Sequence, residues 1–357
     1  MSVTQKDIAK AAHIEQSSVS RILRNDPRMN ELSEDVRASV RRIAAEMGYQ
    51  TNISAATIRK GINTSTIAAI TVDVNPYNYS YQSYLFQSIR AVNQAGYGVR
   101  VYCGTDFEQI FREINANQIQ YVICYCNKEP DCSRLAGIAR RYGMKMIFND
   151  SIQRFLDFPV VDSDNVLNMG KMVDYLHDLG HRRIAFACGE CVHETTILRY
   201  RGFLEGMKRH GLRCGPRQVF RKNFNAVEFL DFLRSTLPTA LCCVDPSVAI
   251  LTESALLRAG VRIPEDISMI VYGDGSFLFE RTPRFTCLRE VPAEKTVQAM
   301  LKYLFTKGSE QHTSDFTCFF EAKFIKGESA IPPCDHPKLK EKLDVNFINN
   351  KRILRHE

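Results

Sequence analysis

Residues 4–23 read TQKDIAKAAHIEQSSVSRIL, and the spacing of their apolar positions governs how the rest of the chain is understood. Asp7–Ala12 is helical in pattern, with Ile8, Ala9 and Ala12 facing one way, and after a short break Ser17–Leu23 repeats it with Val19, Ile22 and Leu23. Thr4 can cap the first helix, and Asp7 three residues on completes a capping-box pattern. The break runs through His13, Ile14 and Glu15, with Ile14 as the apolar plug. Two brief helices joined by so short a turn have helix-turn-helix geometry, in which the second helix enters a DNA major groove.

Around that second helix, Gln16, Ser17 and Arg21 are expected to read base edges, while Thr4, Ser18, Ser20 and Asn25 offer short polar groups for phosphates and the groove. A third helix follows over Glu34–Met47, with Val36, Val40, Ile43, Ala44 and Met47 on one face, and stops at Gly48. Three short helices give a small core, so this head should be marginal alone. Asn52–Lys60 (NISAATIRK) is compatible with a helix but has few groups to anchor it. Such a connector can fold when two copies meet in a minor groove.

From Thr66 the period changes. Ile67–Val74, Val99–Cys103, Tyr121–Tyr125 and Met144–Phe148 are short β-rich runs, alternating with helical Ser83–Gln94, Phe107–Asn115 and Asp131–Tyr142. The alternation starts again with strands Ile184–Ala187, Gln218–Phe220, Ala240–Val244 and Ile267–Tyr272 among helices Val166–Leu179, Leu198–His210, Ala226–Leu233 and Val248–Ala259. This predicts two parallel sheets flanked by helices, hence two lobes, with a ligand cleft at the carboxyl ends of the strands. Loops expected there include Asn75–Tyr84, Asn127–Glu129, Asn149–Ser151, Gly189–Thr196, Asp245–Ser247 and Gly273–Ser276. Tyr77, Tyr79, Tyr81 and Tyr84 concentrate aromatics in the first of these, Tyr77 and Tyr79 being the ligand candidates together with Asn149 and Asp150.

The run at 4–23, the helix ending EMGY and the segment Asn52–Gly61 together resemble the lactose-repressor and galactose-repressor family of bacterial transcription regulators. The likeness extends to Pro332. It implies an α/β protein with an N-terminal three-helix helix-turn-helix domain (1–50), a hinge helix and linker (51–63) and a bilobed periplasmic-binding-protein-like body (64–332). The first lobe would hold about 64–160 plus 290–318, and the second about 161–289 plus 319–332. The resemblance makes Ile58 the wedge between central base steps of the operator, with Ala55, Ala56 and Asn52 in the same hinge contact. It makes Arg199 the clamp on ligand hydroxyls, and Asp164 and Asn165 a DN pair opening the first helix of the second lobe, with Asn168 where a glycine is usual.

Other positions depart from the family. His13 stands for a usual glycine and Glu15 for a serine cap. Asp245 and Pro246 stand where Asn and Asp are common, and Gly273 replaces the first Asp of a pair whose second member is Asp274. Losing that acceptor for vicinal hydroxyls means that Asp245 or Asp150 takes over, or that the effector is not a simple hexose. The implied partners are an inverted-repeat operator duplex, a small-molecule effector such as a sugar or derivative, and a second copy of the chain.

Composition agrees with this picture without demanding it. The chain has 357 residues, 45% of them hydrophobic, and a net charge of +7; residues 1–61 hold ten Lys or Arg against seven Asp or Glu. No run of eighteen apolar residues occurs, the first residues do not resemble a leader, and twelve cysteines lack a regular framework. A cytoplasmic protein without a membrane anchor is expected. GxGxxG after the first strand, GxxxxGK[ST], HExxH and GxSxG are all missing, so neither an enzyme nor a cofactor is expected. Cys188, Cys191 and His193 have the spacing of a metal clip, but structural zinc takes two well-separated ligand pairs, so no metal is expected. Cys124, Cys126, Cys242 and Cys243 read as small core residues, and 333–357 as a polar tail, disordered or a short surface helix without tetramerising heptads.

Overall fold

A hydroxyl and a carboxylate three residues apart start the first helix as their spacing predicts. Asp7 N donates to Thr4 Oγ1 at 3.3 Å and Thr4 N to Asp7 Oδ2 at 2.9 Å, opening α1 (Gln5–Ala11). The computed structural model describes residues 3–23, 26–49, 63–72, 79–149, 158–273, 280–306, 316–333 and 339–344. The chain divides into two compact units, Met1–Asn63 and Thr64–Glu357.

In the first unit α2 is Gln16–Leu23 and α3 is Glu34–Glu46, with a 3-10 turn at Pro27–Glu31 between them. Ser33 caps α3 and Glu34 and Asp35 sit in its first turn, where the helix dipole favours acids. Ile8, Ala9, Val19, Ile22, Val40 and Ala44 are the buried core, with Ile14 packed on it as a plug. His13 has φ 53, in the left-handed region that the turn requires and that glycine would occupy without a steric penalty.

The second unit carries two six-stranded sheets. The first is built from β1 (Thr66–Thr71), β2 (Gly98–Cys103), β3 (Tyr121–Tyr125), β4 (Lys145–Asn149), β5 (Val160–Ser163) and β11 (Cys318–Phe320) in the order β11-β5-β4-β3-β1-β2. Helices α4 (Tyr79–Gln94), α5 (Phe107–Ala116), α6 (Asp131–Arg141) and α11 (Ala293–Phe305) accompany it. The second has β6 (Ile184–Ala187), β7 (Val219–Phe220), β8 (Ala240–Cys243), β9 (Ser268–Tyr272), β10 (Thr286–Arg289) and β12 (Lys323–Ile325), ordered β12-β10-β9-β8-β6-β7. With it go α7 (Asn165–Asp178), α8 (Glu194–Arg209), α9 (Ala226–Thr236) and α10 (Pro246–Arg258).

All pairings in the first sheet are parallel, and in the second only β12 runs antiparallel, against β10. Strands covered on both faces must be apolar throughout, which is why β3 is YVICY, β6 IAFA and β8 ALCC. Cys124, Cys126, Cys242 and Cys243 are buried among these side chains, as small core residues.

Two features depart from the sequence reading. Val160–Ser163 is a strand of the first sheet, pairing with β4 and β11, so the first lobe runs past residue 160 before crossing over. Residues 339–344 are helical, but not on the surface: Leu339 and Leu343 are each 2% exposed in the core beneath β9 and β10. Lys342 reaches the Asp266 carboxylate and Arg234 faces Asp344 at 4.0 Å.

The chain passes between the lobes three times, after β5, after β10 and between β11 and β12. Asn168 is fully buried there, accepting from Ala322 N at 2.9 Å and lying 3.3 Å from Tyr272 Oη and 3.4 Å from the Phe320 carbonyl. A glycine could make none of these side-chain bonds.

Candidate DNA-reading head and effector cleft

The exposed side chains of the recognition helix are those of its first turn. Gln16 and Ser17 are exposed and Ser18 half-exposed. Ser17 donates to Glu15 Oε2 at 3.0 Å, so Glu15 serves α2 through that hydroxyl. Arg21 is half-exposed and faces Glu31 at 3.7 Å, a solvent-facing pairing of little strength.

Thr4 does not present a free hydroxyl. It donates to Asp7 Oδ2 at 2.7 Å as part of the cap, a bond that holds the Asp7 carboxyl below its usual range. Ser20, expected at a phosphate, is 7% exposed. Asn25, Asn52, Ala55 and Ile58 lie outside the described residues.

In the body, both sheets reverse strand order at one point, β2-β1-β3 and β7-β6-β8, and open α/β sheets bind ligands beyond the carboxyl ends of the strands at such points. Asn127 follows β3 in one lobe, and His193 follows β6 in the other. His193 Nδ1 is 2.9 Å from Asn127 Oδ1, Glu194 N donates to the Asn127 carbonyl at 3.0 Å, and Asn127 Nδ2 lies 3.5 Å from Thr195 Oγ1. No side chain of its own caps α8, so an amide left over at its N-terminus is satisfied by the opposite lobe.

Arg199, one turn into α8, is held on three sides. Nε donates to Asn165 Oδ1 at 2.8 Å, Nη1 to the Val244 carbonyl at 2.9 Å and Nη2 to Glu290 Oε1 at 2.8 Å, while the guanidinium lies 3.7 Å over the Tyr272 ring. Asn165 is oriented in turn by the buried Asp162. Burial pushes the Tyr272 phenol well above its usual range, so it stays neutral. Arg199 thus ties the ends of β8, β9 and β10 to the start of α7, a rigid base for whatever enters the cleft.

The remaining candidates divide. Asp245 caps α10, accepting from Val248 N at 2.8 Å, so one of its oxygens is already engaged. Gly273 has φ 91, and a Cβ there would come within 3.2 Å of Pro246 Cδ. A side chain at residue 273 would therefore need both the left-handed backbone and a small shift of Pro246. Asn149 is 2% exposed; its Nδ2 donates to the Val161 carbonyl at 2.7 Å, and its Oδ1 has no partner among the described residues. Tyr81 bonds Thr71 and the Tyr125 carbonyl, and Tyr84 bonds Thr296, so both belong to the first lobe's packing. Tyr79 opens α4. Tyr77, Asp150 and Asp274 lie outside the described residues. Glu290 was not anticipated, because an acid after a short strand looks like any solvated one.

Among the described residues no group of three His, Cys, Asp or Glu is placed to hold a metal ion, and no helix is long and apolar enough to cross a membrane. Residues 4–52 match the family of bacterial regulatory proteins called the lacI family, and 173–329 match a periplasmic binding protein-like domain. The probable transcriptional repressor ExuR of Bacillus subtilis (strain 168) is 25% identical over 336 residues, 92% of this chain and 98% of that protein. CytR, a transcriptional repressor of Escherichia coli (strain K12), is 25% identical over 339 residues, 90% of this chain and 94% of that protein. The solved lac repressor dimer bound to operator and the anti-inducer ONPF is 18% identical, with a TM-score of 0.70 over 93% of this chain and 100% of its own. With a matching head, a matching body and relatives aligned nearly from end to end, this chain matches the lacI-family transcription regulators that carry a periplasmic-binding-protein-like body.

Proposed function

We propose that the chain is a homodimeric, sequence-specific transcription repressor of genes for carbohydrate or related metabolites, binding an inverted-repeat operator under the control of a small molecule held between its lobes. The match of residues 4–52 to the lacI family carries this reading, supported by an α1–turn–α2 unit whose second helix exposes Gln16 and Ser17 at its start. ExuR and CytR are repressors by name, and the lac repressor was solved as an operator-bound dimer. Gln16, Ser17 and Arg21 read the major groove in each half-site, and Asn25 contacts phosphate. Asn52, Ala55 and Ile58 meet their counterparts over the central minor groove. In the body, Arg199 and Asp245, with Tyr77, Tyr79, Asn149, Asp150 and Asp274, face the effector.

With Gly273 in place of a carboxylate, and with Glu290 engaging Arg199, the cleft favours a polar ligand other than a simple hexose, such as a sugar derivative. A ligand preferring one lobe arrangement shifts DNA affinity by that preference alone, as inducer or corepressor. Selection from randomised duplex DNA by the full-length protein tests the reading. A palindrome with half-sites about one helical turn apart is expected, and recovery of salt-sensitive binding without a motif, from folded dimer, overturns it.

A further inference from the structure

Cys188 and Cys191 take no part in the DNA-reading surface or the Arg199 network. Cys188 directly follows β6 and is 3% exposed; Cys191 is half-buried. Gly189 between them has φ 64, turning the chain back so that the two Sγ atoms come within 3.7 Å. Cys188 Sγ is also 3.4 Å from the Phe220 carbonyl. From the next strand edge Arg221 faces Cys191, its guanidinium 4.8 Å over the Tyr200 ring, and the Asp245 carboxylate acts on Cys188. Donation from the Cys188 thiol, aided by Arg221, brings the Cys191 thiol down to about 6, whereas Cys188 is pushed well up by that same bond and by burial. The surroundings favour the thiolate form of the half-buried Cys191, and the other sulfur is a buried thiol in contact with it.

We propose that this pair is an oxidisable dithiol, Cys191 being the atom that hydroperoxides attack and Cys188 the resolving thiol. The Cys191 thiolate attacks one peroxide oxygen, breaking the O–O bond and releasing an alcohol or water once the leaving oxygen takes a proton. Cys191 is left as a sulfenic acid. Cys188 then gives up its proton and attacks the Cys191 sulfur, expelling the hydroxyl as water. Two thiols and one hydroperoxide thus become a disulfide, an alcohol (or water) and water, with two electrons passing from sulfur to oxygen. The sulfurs must close from 3.7 Å to about 2.05 Å, which the half-exposed Cys191 can supply by turning inward. Residue 193 at the end of this loop makes the contact with Asn127, so the disulfide forms beside the join of the lobes.

The test treats reduced full-length protein with hydrogen peroxide at pH 7, blocks remaining thiols and maps them by mass spectrometry. A link between Cys188 and Cys191 is expected, absent in Cys191→Ser. Cys188→Ser should accumulate a sulfenic acid at Cys191 that a cyclic diketone traps. Arg221→Ala should slow oxidation several-fold at pH 7 and little at pH 9, where the thiolate no longer needs the cation, a profile that a merely structural arginine would not produce. Oxidation of the exposed Cys103 ahead of Cys191 in the wild type, or equal rates with and without Arg221 at pH 7, overturns the proposal.

Discussion

His193 Nδ1 and Asn127 Oδ1 meet at 2.9 Å from opposite lobes, and the Asn127 carbonyl takes the Glu194 amide beside them. One residue of the first lobe thereby finishes the N-terminus of a helix in the second. A helix terminus is well suited to the task, since its leading amides have no partners of their own and any group that supplies one is rewarded. Separating the lobes returns those amides to water.

Replacing Asn127 by Ala removes the side-chain contacts and leaves only its carbonyl. At roughly 1 kcal/mol for a hydrogen bond, the joined arrangement should lose about fivefold in population. Amide exchange at Glu194 and Thr195 should accelerate by that factor, while exchange in β8 stays as it was. An unchanged rate at Glu194 would mean that the lobes are held by something else.

Glu290 is one-third exposed and its partner Arg199 only 13% exposed in the side chain, so removing the acid strands a cation that cannot simply turn to solvent. Glu290→Ala should lower stability in urea by about 1–3 kcal/mol, and Glu290→Gln, which keeps an acceptor oxygen, by less. Equal losses from the two would show that the charge contributes nothing.

The sheets were legible because strands covered on both faces have no freedom to be polar, and runs such as YVICY stand out against helical neighbours. The cap at Thr4 was legible because it depends on a residue three positions away. Val160–Ser163 was not, since four residues with two polar ones carry no pattern of their own and become a strand only between β4 and β11. The Arg199 network joins residues 165, 199, 244, 272 and 290, and nothing in local spacing relates them. The burial of Ser20, 7% exposed, was not legible either, because a hydroxyl among polar neighbours carries no local mark of how much of it the fold covers.

Leu339 and Leu343 hold the C-terminal segment to the second lobe, and each buried leucine stabilises by about 1.5–3 kcal/mol. Leu343→Ala should therefore lower the urea midpoint of the full chain. A pH dependence accompanies it at Asp266: burial works to raise its carboxyl, but hydrogen bonds from Lys342 and the Arg262 amide outweigh this and leave it below 3.8. Stability from a depressed carboxyl is fully present above the unfolded value and is lost as pH falls through the folded one. Lys342→Ala should accordingly cost stability at neutral pH, and the gap to wild type should shrink as the pH falls below 3.8. A gap that is constant across that range would remove Lys342 from the account.

On the head, burial separates two residues of the same helix. Gln16→Ala should cost about 1–3 kcal/mol against the selected operator and relax the base preference at one position of each half-site. Ser20→Ala should leave the preferred sequence unchanged, because the residue is only 7% exposed. Operator titrations at one salt concentration decide this, and a changed base preference in the Ser20 variant would put that hydroxyl back in the groove.

Asn168 offers a test of how the crossings are held. Its Oδ1 takes the Ala322 amide, and its Nδ2 lies near Tyr272 Oη and the Phe320 carbonyl, so one buried side chain joins the last crossing to the end of β9. Asn168→Gly deletes that link, leaves a buried amide without a partner and places a glycine inside α7. The unpaired amide costs about 1–3 kcal/mol and the helical glycine about 1 more. The variant should unfold at clearly lower urea and exchange the Ala322 amide faster. Asn168→Asp keeps an acceptor for Ala322 but loses the donor, and should fall between glycine and wild type. If glycine proves as stable as asparagine, the crossing strands close over the gap by themselves, and the asparagine is a local substitution without a mechanical role.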